Sequence, residues 1–353
     1  MSTVSELPPD WDEWLALRGT LAGFCQTSMW AAINFAVNHA ASYAVSVDRD
    51  GARVAGALVS LRPAGLMSMN MMGRLRSHVA GSASGTLECF EGPVLPVSDV
   101  QDVLADVLSQ VNALAKRQGV NHIRFAGAPV LAPWAGSEDA SRVFQAFGYR
   151  ETPWLTSVVD LAPDEDTLRR NLKQAARKGI RKSLEAGLRV KLCETQDEFF
   201  GTFCKAYYED ADGADRSSIA SRNRVFRQAD SGRSYRFFVV EDSSGNVHAA
   251  LGTYSYNGVA TEILSGRTAF GKSSNLPAQD LLHWEAMLHH KRNGDRHFNL
   301  AGYSPDPVNE KEAGIRRFKE KWGGREIAVP AFVRLREPGY VRVGRWLKAK
   351  ASS

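Results

Sequence analysis

The stretch from Gly314 to Gly324 reads Gly-Ile-Arg-Arg-Phe-Lys-Glu-Lys-Trp-Gly-Gly. On a helix, Phe318 and Trp322 lie four residues apart and share a face, with Lys319 beside it. A lysine so placed could meet a phosphate or a developing oxyanion while the aromatic rings stack or pack. The same pattern also suits an amphipathic helix that closes a core. Arg316 and Arg317 add positive charge just upstream. A second candidate lies between Thr167 and Leu192, where nine Lys or Arg residues meet one acid, Glu185. Arg169, Arg170, Lys173, Arg177, Lys178, Arg181 and Lys182 surround a single apolar stripe. A charge run of this kind is often a solvated helix face. An inert face normally mixes signs, however, because like charges at i,i+4 repel. One-signed charge here points to phosphate or RNA, whose condensed counterions are released on contact.

Other chemistries lack their residues. There is no Gly-x-x-x-x-Gly-Lys-Ser/Thr loop, no Gly-x-Gly-x-x-Gly after a strand, and no Gly-x-Ser-x-Gly elbow. Nucleotide hydrolysis, dinucleotide redox chemistry and serine hydrolysis lose support accordingly. Neighbouring residues on a helix point about 100° apart, so His289 and His290 are poorly placed to share a metal. A solvated helix end is expected for both, and His248 and His283 read as structural. Cys25, Cys89, Cys193 and Cys204 are far apart among apolar neighbours, which suits buried thiols rather than disulfides or a zinc site. No metal and no cofactor is expected.

The chain has 353 residues, a formal charge of +5 and a pI near 9.0. That length suits two domains of ordinary size. No 18-residue apolar run occurs, so no membrane span is expected. Met1 to Trp14 lacks a basic start and an apolar stretch, which reads as a cytoplasmic protein. Further basic clusters run from Lys311 to Arg325 and through Arg342, Arg345, Lys348 and Lys350.

Helices and strands must position the candidate residues. Asp10 to Leu21 reads as a helix burying Trp11, Trp14 and either Leu15 or Leu17, and another starts near Thr27 and Ser28. Tyr43 to Leu61 is a hairpin about Asp50-Gly51. Met67 to Leu75 is a strand or a loop, and Leu87 to Phe90 a strand. Val97 to Gly119 is an amphipathic helix with Val100, Val103, Leu104, Val107, Leu108, Val111 and Leu114 inward. A strand at His122 to Ala126, a helix at Ala140 to Phe147 and a strand at Leu155 to Leu161 follow. The second series opens with helices at Asp164 to Lys182, with Leu168, Leu172, Ala176, Ile180 and Leu184 in one stripe, and at Thr195 to Ala211. Strands at Tyr235 to Val240, Val247 to Tyr256 and Val259 to Leu264 come next, with Asn257-Gly258 as the last turn. A helix at Pro277 to Asn293, a strand at His297 to Leu300, a helix at Ile315 to Trp322 and a strand at Ala328 to Arg334 complete it. The two halves share one grammar, which suggests a duplicated α/β unit.

Several segments resemble the FemA/FemB/FemX proteins. Phe24-Cys25-Gln26-Thr27-Ser28-Met29-Trp30 is similar to their "FxQSxxW" opening, and Glu91-Gly92-Pro93-Val94 to their "GPV" strand end. Val158-Val159-Asp160-Leu161, then Arg177 to Ser183 and Gly187-Leu188-Arg189-Val190, resemble "vvDLs…l…rrnirKaxkxGvxV". Asn275-Leu276-Pro277-Ala278 with Leu281 to Glu285 resembles "aNxLLxWeaI", and Phe298-Asn299-Leu300-Ala301-Gly302 resembles "yDlgG". Gly314 to Gly324 resembles "GixxFKxxFGG". The matches keep one order from about residue 10 to 330.

The resemblance implies two tandem GNAT-like α/β domains with mixed, mainly antiparallel sheets and no coiled-coil arm. The first would span 1–152, completed by 327–353, on the acceptor side. The second would span 153–326 on the donor side. The implied activity is transfer of an amino acid from aminoacyl-tRNA to an amine of a peptide or small molecule. Lys319, beside Phe318, takes the place of the lysine implicated in handling the tRNA end. Arg177, Lys178, Arg181, Lys182, Arg316, Arg317 and Trp322 would face the tRNA, and Trp30 and Asn34 the acceptor. Asn34 stands where the family often carries a lysine for a nucleotide diphosphate, so a nucleotide-linked acceptor is not expected. Two other readings remain at this level: an acyl-CoA-dependent N-acetyltransferase, against which Arg267 to Pro277 is a poor pyrophosphate loop, and a non-catalytic nucleic-acid-binding module.

Overall fold

A computed structural model describes residues 2–18, 21–62, 85–128, 130, 134, 137–152, 154–209 and 234–335. The expected element at Met67 to Leu75 and the basic cluster from Arg342 to Lys350 lie outside these residues. The chain divides into two compact units, Met1–Pro153 with Val329–Ser353, and Trp154–Ala328. Each has its own mixed sheet with flanking helices. Among the described residues no helix is long and apolar enough to cross a membrane.

The first unit contains β1 (Ser2–Ser5), α1 (Trp11–Leu17), α2 (Ser28–Asn38), β2 (Ala41–Arg49), β3 (Ala52–Arg62) and β4 (Thr86–Phe90). It continues with α3 (Val100–Arg117), β5 (His122–Ala126), α4 (Glu138–Ala146) and β6 (Arg150–Glu151). Its sheet runs β1-β2-β3-β4-β5-β14-β6, where β14 (Ala331–Leu335) comes from the far end of the chain. Only β4 and β5 among its registered pairs run parallel. The stripe predicted for α3 is buried, from Val103 to Leu114. On α1 the buried partner of Trp11 and Trp14 is Leu15, and Leu17 is exposed. Gln26 is the pin of the opening segment. Its Nε2 donates to the Phe90 carbonyl at 2.6 Å, and its Oε1 accepts from Leu58 N–H at 2.8 Å. A Cβ on Gly92 would stand 2.5 Å from this amide, which is why the strand end takes glycine there.

The second unit contains β7 (Trp154–Asp160), α5 (Glu165–Asn171), α6 (Gln174–Glu185), β8 (Arg189–Leu192) and α7, a short turn at Gln196–Glu198 running into a π-helix over Phe199–Glu209. Then come β9 (Tyr235–Glu241), β10 (Val247–Tyr256), β11 (Val259–Arg267), α8 (Ala269–Ser273), α9 (Ala278–Arg292), β12 (His297–Tyr303), α10 (Glu310–Lys319) and β13 (Arg325–Val329). The sheet order is β13-β7-β12-β11-β10-β9-β8. Here β11 and β12 form the parallel pair. The core gathers Leu168, Ala176, Ile180, Leu281, Leu282, Leu288, Phe298 and Leu300 on the helix-covered face.

Three expectations are corrected. The helix expected over Asp164 to Lys182 breaks at Leu172 and Lys173, whose ψ angles of 141° and 153° are extended. The Arg177 guanidinium bonds the freed carbonyls of Arg170 and Leu172, both at 2.8 Å. Leu184, counted in the apolar stripe, is 52% exposed. The strand expected over Ala328 to Arg334 is two strands separated at Pro330, one in each sheet. Proline lacks the N–H that a continuous ladder would need.

Helices α6 and α9 approach closely at Gly179. A Cβ there would lie 2.0 Å from Asp280 Oδ2. Gly179→Ala should therefore destabilise the protein by about 1–3 kcal/mol through forced repacking. Gly201, with nothing within 4 Å of its would-be Cβ, should accept alanine without loss. Urea midpoints of the two variants, at unchanged m-value, check this.

Candidate active site

Strands β11 and β12 pair only through Val259–Thr261 and His297–Asn299. Beyond these residues they part, and their facing backbone groups no longer bond each other. Both lips carry an irregularity. In β11 the ladder with β10 shifts between Gly252 and Thr253, leaving Ile263 as the extra residue next to Glu262. In β12 the ladder with β7 shifts between Asn299 and Gly302, where Ala301 has a φ of 59°. Asn299 steadies that bulge: its Oδ1 accepts from Ala301 N–H at 3.1 Å and from the Thr156 hydroxyl at 2.6 Å. Gly302 is confined by Trp154, whose Nε1 would sit 1.4 Å from a Cβ.

Lys319 ends α10 at this lip. Its Nζ donates to the carbonyls of Ala301 and Gly302, at 2.9 and 3.1 Å, and lies 5.8 Å from the Tyr303 ring centroid. The side chain is 93% shielded, with a residual exposure of 7%. Burial pushes its pKa below the ordinary lysine range, and the charge of Glu262 opposes that shift. An ammonium has three donors, so two carbonyls leave one for a ligand. The double glycine that follows lets the chain turn back here. Gly323 has a φ of 72° and would touch the Asn171 carbonyl, and Gly324 would touch Ser157, if either carried a Cβ.

Phe318 meets His283 edge-on at 4.8 Å, and Trp322 stacks on His283 at 5.5 Å. Trp322 is 1% exposed and belongs to the core, so its ring supports the site from below rather than offering a surface on which a base could stack. Lys321 lies over Phe318 at 4.1 Å and pairs with Asp280.

The other expected residues separate by environment. Arg177 is spent on helix carbonyls, as described above. Arg181 pairs with Glu185 at 3.5 Å in an exposed i,i+4 bridge, an interaction worth about 0–1 kcal/mol and easily exchanged for another anion. Lys178 and Lys182 are exposed and have no ion-pair partner among the described residues. Arg316 is held by Glu320, which raises its pKa, and by the Pro305 carbonyl. Arg317 pairs with Glu310. In the first unit Trp30 is half-buried on α2, whereas Asn34 is 1% exposed and part of the packing.

Two histidines depart from expectation. His290 is buried, with Nε2 2.8 Å from the Thr253 hydroxyl and Nδ1 2.8 Å from Asp295. His289 is half-buried, and burial depresses its pKa to about 4. The four cysteines are buried, as expected. Burial pushes the thiols of Cys89 and Cys193 up to about 12, which disfavours thiolate chemistry. Among the described residues no group of three His, Cys, Asp or Glu side chains gathers as a metal site. The pair Glu262 and His283 was not singled out together in the sequence: 21 positions separate them, and only the packing of α9 on β11 brings them together.

Residues 167–320 match the family model of the acetyltransferase (GNAT) domain. The structure of FemX superposes with a TM-score of 0.68 at 12% identity, covering 94% of this chain and 97% of that one. A tandem GNAT protein from the clavulanic acid biosynthesis pathway gives 0.59 at 15% identity, covering 96% and 100%. The C-terminal domain of a putative lysylphosphatidylglycerol synthetase from Agrobacterium fabrum gives 0.54 at 16% identity, covering 91% and 92%. No curated protein sequence matches the chain. The fold is thus that of the GNAT-type acyltransferases. More narrowly, FemX has the same tandem fold.

The lowered pKa of Lys319 has a sign that can be measured. The unfolded chain binds this proton more tightly than the folded one, so the contribution to stability is greatest above the ordinary value of 10.5 and is lost as pH falls towards the folded value. The stability of the wild type relative to Lys319→Met should therefore rise as pH approaches the ordinary lysine pKa of about 10.4 from below. Urea midpoints of both proteins across that range provide the check.

Proposed function

We propose that this chain transfers an amino acid from aminoacyl-tRNA to an amine of a peptide or small molecule. The observation that carries the reading is Lys319, a shielded ammonium fixed on two strand carbonyls where β11 and β12 part. It lies in the Gly314 to Gly324 segment, which resembles the family's "FK" motif. An aminoacyl ester is already activated and needs no covalent nucleophile. It needs an amine held near the carbonyl, and positioning of that kind is worth on the order of 7–11 kcal/mol. It also needs a donor for the tetrahedral oxyanion, worth about 3–4 kcal/mol. The remaining N–H of Lys319 supplies such a donor, or receives the last phosphate of the acceptor end.

Exposed Lys178 and Lys182, with Arg181, form the surface proposed to meet the tRNA, and Arg317 adds to it beside the site. Trp30 is proposed to flank the amine acceptor in the first unit. Buried Asn34, in place of the family's frequent lysine, supports an acceptor without a nucleotide diphosphate. Such a reaction belongs in the cytoplasm, where charged tRNA is found.

A thioester donor such as acetyl-CoA would need open amides for its pyrophosphate after β11. That position holds α8. There Gly271 N–H donates to the Thr268 hydroxyl at 2.8 Å, and a Cβ on Gly271 would strike the His248 carbonyl. This packed turn favours the ester donor.

The test is mass spectrometry of acyl adducts. The protein is incubated with total charged tRNA and a library of short lysine-containing peptides and small amines, and separately with acetyl-CoA. Adducts from charged tRNA alone are the expected outcome, and adducts from acetyl-CoA alone would overturn the reading. Lys319→Ala should lower turnover at least tenfold, equivalent to about 1.4 kcal/mol. Lys178→Ala with Lys182→Ala should instead weaken tRNA binding and reduce its log–log salt slope by about 1–2. Filter binding at several salt concentrations separates the two effects.

A further inference from the structure

The Gly314 to Gly324 segment suggests a ring on which a base could stack, but its two aromatic side chains are engaged elsewhere. Trp322 is buried in the core. Phe318 is half-buried, with Lys321 over its ring at 4.1 Å and His283 edge-on at 4.8 Å. Among the described residues of the second unit, the exposed aromatic side chains are Trp154 and Phe270. Phe270 lies on α8 against His248. Trp154 opens β7 and lies at the candidate site.

The indole of Trp154 is held in place. Gly302 pairs with Thr156, two residues along β7, and Trp154 lies down over that glycine, its Nε1 1.4 Å from where a Cβ would stand. The residue is nevertheless 41% exposed, with no hydrogen bond, ring or cation partner among the described residues. A large ring fixed in water beside a shielded charge has apolar area still to bury. Gly302 is also a residue whose carbonyl holds Lys319, at 3.1 Å. Successive strand residues face opposite ways. Lys319 lies over Tyr303, whereas Trp154 lies over Gly302. The ammonium and the indole thus flank one strand residue beyond the last pair of β11 and β12. In one nucleotide, a single sugar separates the phosphate from the base, which matches the reach across one strand.

We propose that Trp154 is the platform on which the terminal adenine of the tRNA acceptor end stacks, while Lys319 holds the ester or the last phosphate; this rests on the aminoacyl-transfer reading above. Every charged tRNA ends in the same adenosine, so a donor site needs an aromatic face and no code for the base. Stacking fixes the sugar between the ring and the ammonium, and the ester on that sugar then meets the same donor in every turnover. Trp154 takes no part in bond making; it binds and positions. Trp154 stands outside the segments that resemble the FemA/FemB/FemX proteins, although the glycine that admits its ring, Gly302, closes one of them.

The test compares two short acceptor-stem RNAs that differ only in the last residue, one ending in adenosine and the other in an abasic ribose. Dissociation constants for the full chain come from fluorescence anisotropy of the 5′-labelled RNAs at one fixed salt concentration. The wild type should bind the adenosine RNA about tenfold more tightly than the abasic one. Trp154→Ala should lose that difference and bind both RNAs as the wild type binds the abasic one. Trp154→Phe, which keeps a ring, should retain most of it. Equal affinity of the wild type for the two RNAs overturns the inference, and that comparison needs no variant. So does a folded Trp154→Ala that keeps the tenfold difference, or one that weakens both RNAs alike, as a merely structural role would. If the wild type transfers from charged tRNA but binds the two RNAs equally, stacking fails while the aminoacyl reading stands. If it binds neither RNA and transfers from acetyl-CoA alone, both fail.

Discussion

The parting of β11 and β12 is the constraint from which the candidate site follows. A parallel pair that stops bonding leaves carbonyls and amides that must find other partners. On the β12 side the substitutes are the Asn299 side chain, which takes Ala301 N–H, and the ammonium of Lys319, which takes the Ala301 and Gly302 carbonyls. Each requirement then selects a residue elsewhere. Ala301 takes a left-handed conformation, and Gly302 lies too close to Trp154 to carry a side chain. The helix that delivers Lys319 must end at this point, and Gly323 and Gly324 let the chain return to the sheet.

Lys319 therefore has two duties that pull in opposite directions. As a structural cation it satisfies two carbonyls. As a buried one it bears a desolvation cost, visible in its lowered pKa. Charge kept dry and already oriented is costly to the fold but effective in catalysis, because nothing needs to reorganise when negative charge develops. Glu262 sits across the gap and offsets part of the cost. The fold carries Glu262 on β11 and Lys319 at the end of α10, with the ammonium bonded to the Ala301 and Gly302 carbonyls and not to the carboxylate.

Much of the scaffold was legible in the sequence because local chemistry fixed it. Asp50-Gly51 and Asn257-Gly258 have the positive φ angles that tight hairpins require, and the turns fall where those dipeptides stand. The α3 stripe was legible because its period continued through the whole helix. What the sequence hid were outcomes decided by distant partners. The apolar period runs unbroken through Leu172, yet Lys173 N–H bonds the Lys321 carbonyl and the helix gives way. Arg177 looked like a surface charge because nothing local revealed its carbonyl partners. His290 looked like part of a solvated end, although Asp295 and Thr253 enclose it.

The same distant partners tie the basic helix to the site. Lys173 N–H bonds the Lys321 carbonyl, and its ammonium lies 3.6 Å from Glu320. Asp280 contacts α6 at Gly179 and pairs with Lys321, which in turn covers Phe318. These contacts join α6, α9 and the end of α10 within one unit. Lys178 and Lys182 ride on α6, so their distance from Lys319 is set by packing and not by a flexible link. A polyanion bound along α6 would find the ammonium at a fixed distance from its anchor. The run of one-signed charge then divides by environment: Arg177 holds the break between α5 and α6, Lys173 fastens α6 to the turn after Lys319, and Lys178 and Lys182 stay exposed. Glycine at position 179 is what allows this close approach, because a Cβ there would stand 2.0 Å from Asp280 Oδ2.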